Sequence, residues 1–242
     1  MGESIKVKGI VLFQTNLNDN DKILTIFTDE LGMIKAVAKG IRKYKKTGSV
    51  EMFYFSDIVI SKGKNLYTIN SSSLIESFYT LRTDIKKLAL ASYIAELNLF
   101  ALPPEDPNKE ALSLLLNMLF ILSNGKAEAD VVKAVYEFRF MSILGYEPHV
   151  DGCFLCGRHD NLDRFDLEGG FVCAEHPETP FMIPMRESIK KAIWYIISTE
   201  VSTCYSFKPS ARTCYELNEL AGEYVYFHLQ KRFKSLEFYQ NL

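Results

Sequence analysis

The sequence predicts a multidomain α+β protein. An N-terminal OB-fold β-barrel is expected over residues 1–80, followed by an α-helical domain over 81–242 with an inserted zinc-knuckle subdomain at 149–182. Three observations predict this. Short segments rich in β-branched residues, separated by turn residues, run to about residue 78. From Thr83 the apolar spacing changes to the three-and-four pattern of helices. Two close pairs of metal-ligating side chains then interrupt the helical part.

A chain of 242 residues with 48% hydrophobic and 13% aromatic residues is long and apolar enough to bury a core. The formal net charge of -2 argues against a wholly basic nucleic-acid binder, but the charge is uneven. Residues 1–80 carry 11 Lys and Arg against 8 Asp and Glu, whereas the remainder carries 17 against 22. The first part therefore suits a polyanion and the second does not. Met1-Gly2-Glu3-Ser4 lacks the basic and apolar regions of an export leader, so a cytoplasmic location is expected. The longest apolar stretch, 111–122, is too short for a membrane span and is interrupted by Ser113 and Asn117. Cys204 and Cys214 read as small buried hydrophobes.

In the first part, residues 5–13, 22–28, 33–38, 51–61 and 65–78 read as strands. Gly32 is placed where a turn needs positive φ, and Lys62-Gly63-Lys64 joins the last two strands. Five short strands with tight turns fit an OB-type barrel, and pattern alone does not separate this from an SH3-like barrel. After the third strand, Lys35, Lys39, Arg42, Lys43, Lys45 and Lys46 place six positive charges within twelve residues around Tyr44, with no acid between Met33 and Val50. Such a loop suits sequence-independent phosphate contact, or it is simply solvated. Phe13, Tyr54 and Phe55 are candidates for base stacking, and alternation puts Phe53 and Phe55 on one face and Tyr54 on the other.

Helices are expected from Thr83 to before Pro103, from an Asp106 N-cap with Pro107 at N1 to Gly125, over 130–144, over 184–199 and over 209–232. Leu114, Met118, Phe138 and Met141 read as core. Between the third and fourth helices, Cys153-x-x-Cys156 is followed after sixteen residues by Cys173-x-x-His176. Two ligand pairs of this form can complete a tetrahedral zinc site with no position left for water, so a structural zinc is expected. For the fourth ligand, His176 fits the spacing, with His159 and His149 as competitors. No Gly-rich phosphate loop, nucleophile elbow or His-Glu-x-x-His motif is present, and no enzymatic activity is expected.

The order of these features resembles the RecO family of recombination mediators. The matching residues are Asp21 to Thr28, Gly32, Ala36 to Arg42, Leu66-Tyr67-Thr68-Ile69, Leu144-Gly145-Tyr146-Glu147-Pro148 and Cys153-x-x-Cys156-Gly157. The similarity runs from about Ile5 to Pro184, and it departs at His176, where the family pattern usually has a fourth cysteine. The resemblance implies a DNA repair protein that binds single-stranded and also double-stranded DNA and anneals complementary strands. It further implies that, with RecR, the protein helps RecA displace single-strand-binding protein. The DNA-binding residues it implies are Lys35, Lys39, Arg42, Lys43, Tyr44, Lys45 and Lys46. The helical domain would meet the acidic tail of single-strand-binding protein, with Arg139 a candidate carboxylate partner beside its plainer reading as a core-rim arginine. Rival readings are a zinc-containing RNA-binding protein and a protein-assembly module without DNA contact.

Overall fold

The structure is a computed structural model that describes residues 4–41 and 49–242. It contains two compact units, Met1–Ser113 with Phe233–Leu242, and Leu114–Arg232. In the first unit, β1 (Ser4–Asn16), β2 (Lys22–Thr28), β3 (Gly32–Ala38), β4 (Phe55–Lys62) and β5 (Tyr67–Glu76) close a barrel in the order β1-β2-β3-β5-β4. Neighbours are antiparallel except β3 and β5, which run parallel through the pairs Ala36–Tyr67 and Val37–Thr68. This is the five-stranded arrangement expected from the sequence.

Period-two alternation sends Val7, Leu24, Ile26, Ile34, Ala36, Ile58 and Ile60 into the barrel interior. A bulge between Val11 and Phe13 shifts the β1–β2 register, and Val11 and Leu12 are both fully buried there. Gly32 sits at φ 64, and a Cβ on it would lie 2.2 Å from the Asp106 carbonyl oxygen. Only glycine permits both that conformation and that approach.

One sequence expectation fails at the start of β4. Phe53 lies in a turn at φ 64 and is 2% exposed, held by its N–H donating to the Val11 carbonyl (2.7 Å). The strand begins only at Phe55, so alternation does not extend back through Tyr54 and Phe53.

Helix α1 (Ile85–Ala101) is capped by the Asp84 carboxylate, which accepts from the Lys86 and Lys87 amides. Helix α2 (Lys109–Ser123) starts later than Asp106-Pro107 suggested. Asn108 supplies the cap, its Oδ1 accepting from the Ala111 amide (2.9 Å), because the Asp106 backbone is already packed on Gly32. The short α6 (Lys234–Gln240) was not anticipated. It follows Phe233, 2% exposed and edge-on to Tyr93 and Phe100, and returns the chain to α1.

The second unit is built on α3 (Ala129–Ile143), which is buried along most of its length against α4 (Glu187–Ser198) and α5 (Ala211–Leu229). Leu114, Met118, Phe138 and Met141 are all fully buried, as expected. Between α3 and α4 lies a three-stranded sheet, β6 (Leu162–Asp166), β7 (Gly170–Cys173) and β8 (Met182–Pro184), in the order β7-β6-β8. Pro184, expected to open α4, instead pairs with Arg164 in β8. Among the described residues no helix is long and apolar enough to cross a membrane.

Helix α3 also buries an ion pair, Lys133 Nζ to Glu137 Oε2 at 2.8 Å, with side-chain exposures of 3% and 0%. The ammonium further donates to the Asn218 carbonyl of α5 at 3.3 Å. Breaking a buried pair leaves one uncompensated charge, whereas removing both can be neutral. Glu137→Ala is therefore expected to destabilise the protein by about 3–5 kcal/mol in denaturant melts, and Lys133→Met with Glu137→Leu by much less. Equal destabilisation in the single and double variants would contradict this.

Candidate metal centre and basic loop

The two predicted ligand pairs meet. Ligand atoms of Cys153, Cys156, Cys173 and His176 all lie within 4.8 Å of one another, a cluster that could hold a metal ion. The Cys156 and Cys173 sulfurs are 3.8 Å apart. A tetrahedral site with metal–sulfur bonds of about 2.3 Å has sulfur–sulfur edges of about 3.8 Å, so the observed separation fits. The first turn is set by the Cys153 N–H donating to the Arg158 carbonyl (2.6 Å) and by the Gly157 N–H donating to the Cys153 carbonyl (2.8 Å). Gly157 takes φ 76, which a side chain would disfavour. The second turn follows β7 directly, with Cys173 as the last residue of the strand.

His176 Nε2 is buried and has no hydrogen-bond partner within the protein. A buried ring nitrogen without a partner, on a histidine grouped with three cysteines, is a costly arrangement that a bound cation would relieve. The competing histidines, His149 and His159, lie outside that cluster. The His159 ring bonds the Asp151 carbonyl at 2.5 Å. His149 is exposed and serves through its backbone, bridging to Gly170, where a Cβ would lie 2.3 Å from the His149 carbonyl oxygen.

Burial pushes the Cys153 thiol up, but the N–H groups of Cys173, Cys156 and Leu155 outweigh it and hold the thiol at about 6. Near neutral pH it is therefore largely the thiolate that a metal needs. Burial pushes the Cys173 thiol up from its ordinary value. Arg164 on β6, only 6% exposed, reaches the same turn and donates to the carbonyls of Cys173 (2.7 Å) and His176 (3.0 Å). Nothing in the local sequence pointed to Arg164, because its place beside the ligands depends on how β6 pairs with β7.

Of the basic residues assigned to nucleic acid, Lys35 and Lys39 are described and exposed, the first on the barrel's outer face opposite Thr25 and the second just past β3. Arg42, Lys43, Tyr44, Lys45 and Lys46 lie outside the described residues. The stacking candidates Phe13, Tyr54 and Phe55 are half-buried, and the Arg82 guanidinium lies 4.7 Å from the centre of the Tyr54 ring. Arg139, the candidate carboxylate partner, donates from Nη1 to the Ile197 carbonyl at 3.0 Å.

The path into the basic loop is set by a residue to which the sequence assigned no role. Asp21 Oδ1 accepts from the Gly40 amide at 2.7 Å. That N–H, with the Asn18 side chain, holds the Asp21 carboxyl below its ordinary value of 3.8. A depressed carboxylate favours the folded state above the unfolded pKa, and this contribution is lost as pH falls through the lowered value. The expected result of Asp21→Ala is Gly40 amide exchange faster by about tenfold or more at neutral pH, read by NMR. Unchanged exchange would remove Asp21 as the anchor.

Comparison with known proteins supplies the identity. Residues 1–78 match the model of the recombination protein O N-terminal region, and residues 82–237 match that of its C-terminal region. Proteins named DNA repair protein RecO are similar over nearly the whole chain. That of Acetivibrio thermocellus is 32% identical over 98% of this chain and 97% of its own length. That of Caldicellulosiruptor saccharolyticus is 34% identical over 98% of each, and that of Dehalococcoides mccartyi is 29% identical over 96% and 93%. With a closed barrel, a helical unit, a four-ligand knuckle and both halves of the family matched in order, the chain belongs to the RecO family of DNA repair proteins.

Proposed function

We propose that this protein is a non-enzymatic recombination mediator. It binds single-stranded DNA, and double-stranded DNA as well, through the barrel domain of residues 1–80. It anneals complementary strands and, with RecR, helps load RecA onto DNA covered by single-strand-binding protein. The helical domain, 81–242, carries the segment 149–182, in which Cys153, Cys156, Cys173 and His176 hold a structural zinc. The work takes place in the cytoplasm, at the nucleoid during repair.

The observation that carries this reading is the closed five-stranded barrel whose third strand presents Lys35 and leads through Lys39 into the basic stretch. Family membership supports placing that barrel in DNA repair. The mechanism requires no bond to be made or broken. Strand annealing is opposed by phosphate repulsion, and a cationic loop that neutralises phosphates on each strand lowers that barrier. Lys39, Arg42, Lys43, Lys45 and Lys46 supply the charge, Lys35 extends it onto the barrel, and Tyr44 offers a ring to a base. A divalent cation at the four-ligand cluster would cross-link the two turns and take no part in DNA contact.

Fluorescence anisotropy with a labelled single strand of mixed sequence, across a salt series, tests the reading. Binding tighter than about 1 μM at low salt is expected, weakening steeply as salt rises. Replacing Lys39, Arg42, Lys43 and Lys45 by alanine should flatten the slope of log affinity against log salt by up to about 3, at about 0.7 for each phosphate no longer neutralised. Binding indifferent to all four changes would move the DNA site off the barrel and favour an assembly module. For the metal, elemental analysis of the purified protein should find about one zinc per chain. His176→Ala should lose it, while His149→Ala and His159→Ala keep it. Zinc retained by His176→Ala would give the fourth position to another residue.

A further inference from the structure

We infer that Arg164 is the positioning residue and the counter-charge of the Cys153/Cys156/Cys173/His176 centre, a role that rests on the metal reading above. Arg164 is 6% exposed, and a buried arginine needs both hydrogen-bond acceptors and a negative charge. Its acceptors are the Cys173 carbonyl at 2.7 Å and the His176 carbonyl at 3.0 Å, with the Met182 sulfur at 4.0 Å. Both carbonyls belong to residues whose side chains are ligands. The carboxylate in contact with it is Asp163, at 3.3 Å from Nε, and that side chain is 57% exposed. Water screens a partner so placed, so Asp163 compensates little of the buried charge.

The four-ligand centre supplies what Asp163 does not. Three thiolates and a neutral imidazole around a divalent cation leave one net negative charge on a centre whose Cys153 and Cys173 are buried. Arg164 sets one positive charge against it. The geometry matters as much as the charge. One planar fork joins two carbonyls three residues apart, which fixes the turn Cys173-Ala174-Glu175-His176 so that a sulfur and a ring nitrogen converge on one point. The His176 amide makes only a long contact, 3.5 Å, to the Cys173 carbonyl, so the turn's own backbone bond is weak and the arginine closes it from outside. A lysine would keep the charge but could not span both carbonyls in this way.

The test uses the full-length chain and reads the metal directly. Zinc affinity is measured by competition with a chromophoric chelator, and the ligand field by visible absorption of the cobalt(II)-loaded protein. Arg164→Met is expected to weaken zinc about 10- to 100-fold and to change the cobalt d–d bands. Arg164→Lys should fall between Met and wild type in affinity while still changing the bands. Asp163→Asn should match wild type in both. Wild-type affinity and an unchanged cobalt spectrum in Arg164→Lys would overturn the positioning role, even if the Met variant failed to fold. Weakening in Asp163→Asn as large as in Arg164→Met would overturn the counter-charge role. A wild-type protein that binds no zinc would instead remove the metal reading itself.

Discussion

In the insertion between α3 and α4, one face of a small sheet has little apolar cover of its own, and the ligand cluster lies on that face. One side of β6 and β7 is well served. Phe165 and Phe171 are buried, and Phe165 meets Phe171, Phe138 of α3 and Tyr224 of α5 edge-on or nearly so. The other side has Cys153, Val172 and Cys173 as its buried residues, with Leu162 and Met182 only partly covered. So few apolar neighbours leave a sheet of this size marginal. The donor atoms of the two turns already lie together there, so a metal ion bound by them would cross-link this face. Phe165 packs on Phe138 of α3 and Tyr224 of α5, so this sheet and those helices share one aromatic core.

The barrel unit is a frame of paired strands from which the chain continues into a charged stretch. Four of its five strand pairings are antiparallel, and the parallel junction of β3 with β5 is only two residue pairs long. The chain leaves β3 at that short junction, where the Asp21 carboxylate takes the Gly40 amide. The hydrogen bond accepted by Asp21 orients the chain at Gly40, just ahead of the basic stretch.

Much of this was legible in the sequence, for reasons that are local. The strands were found because one face of each is buried, which writes a period of two into residues such as Leu24, Ile26, Ile34 and Ala36. The ligand set was found because a Cys-x-x-Cys turn fixes its own geometry. What stayed hidden depends on distant contacts. Asp106-Pro107 carries a sound capping signal, but its backbone is occupied by Gly32, and Asn108 caps α2 instead. Phe53 breaks the alternation because Val11 holds it at a positive φ. Helix α6, seven residues long, is too short to show a period and is recognisable only by what Phe233 packs against. Arg164 resembles any strand arginine until the β6–β7 register places it behind two ligands.

Under the proposed function, the barrel's basic stretch rather than the helical unit meets the DNA backbone. Lysine acetylation footprinting read by mass spectrometry tests it most directly, comparing the free protein with its complex with a single strand. The account predicts that Lys35, Lys39, Lys43, Lys45 and Lys46 become protected while Lys191 and Lys208 label as before. Protection confined to lysines of residues 114–232, with Lys39 to Lys46 still labelled, would contradict it.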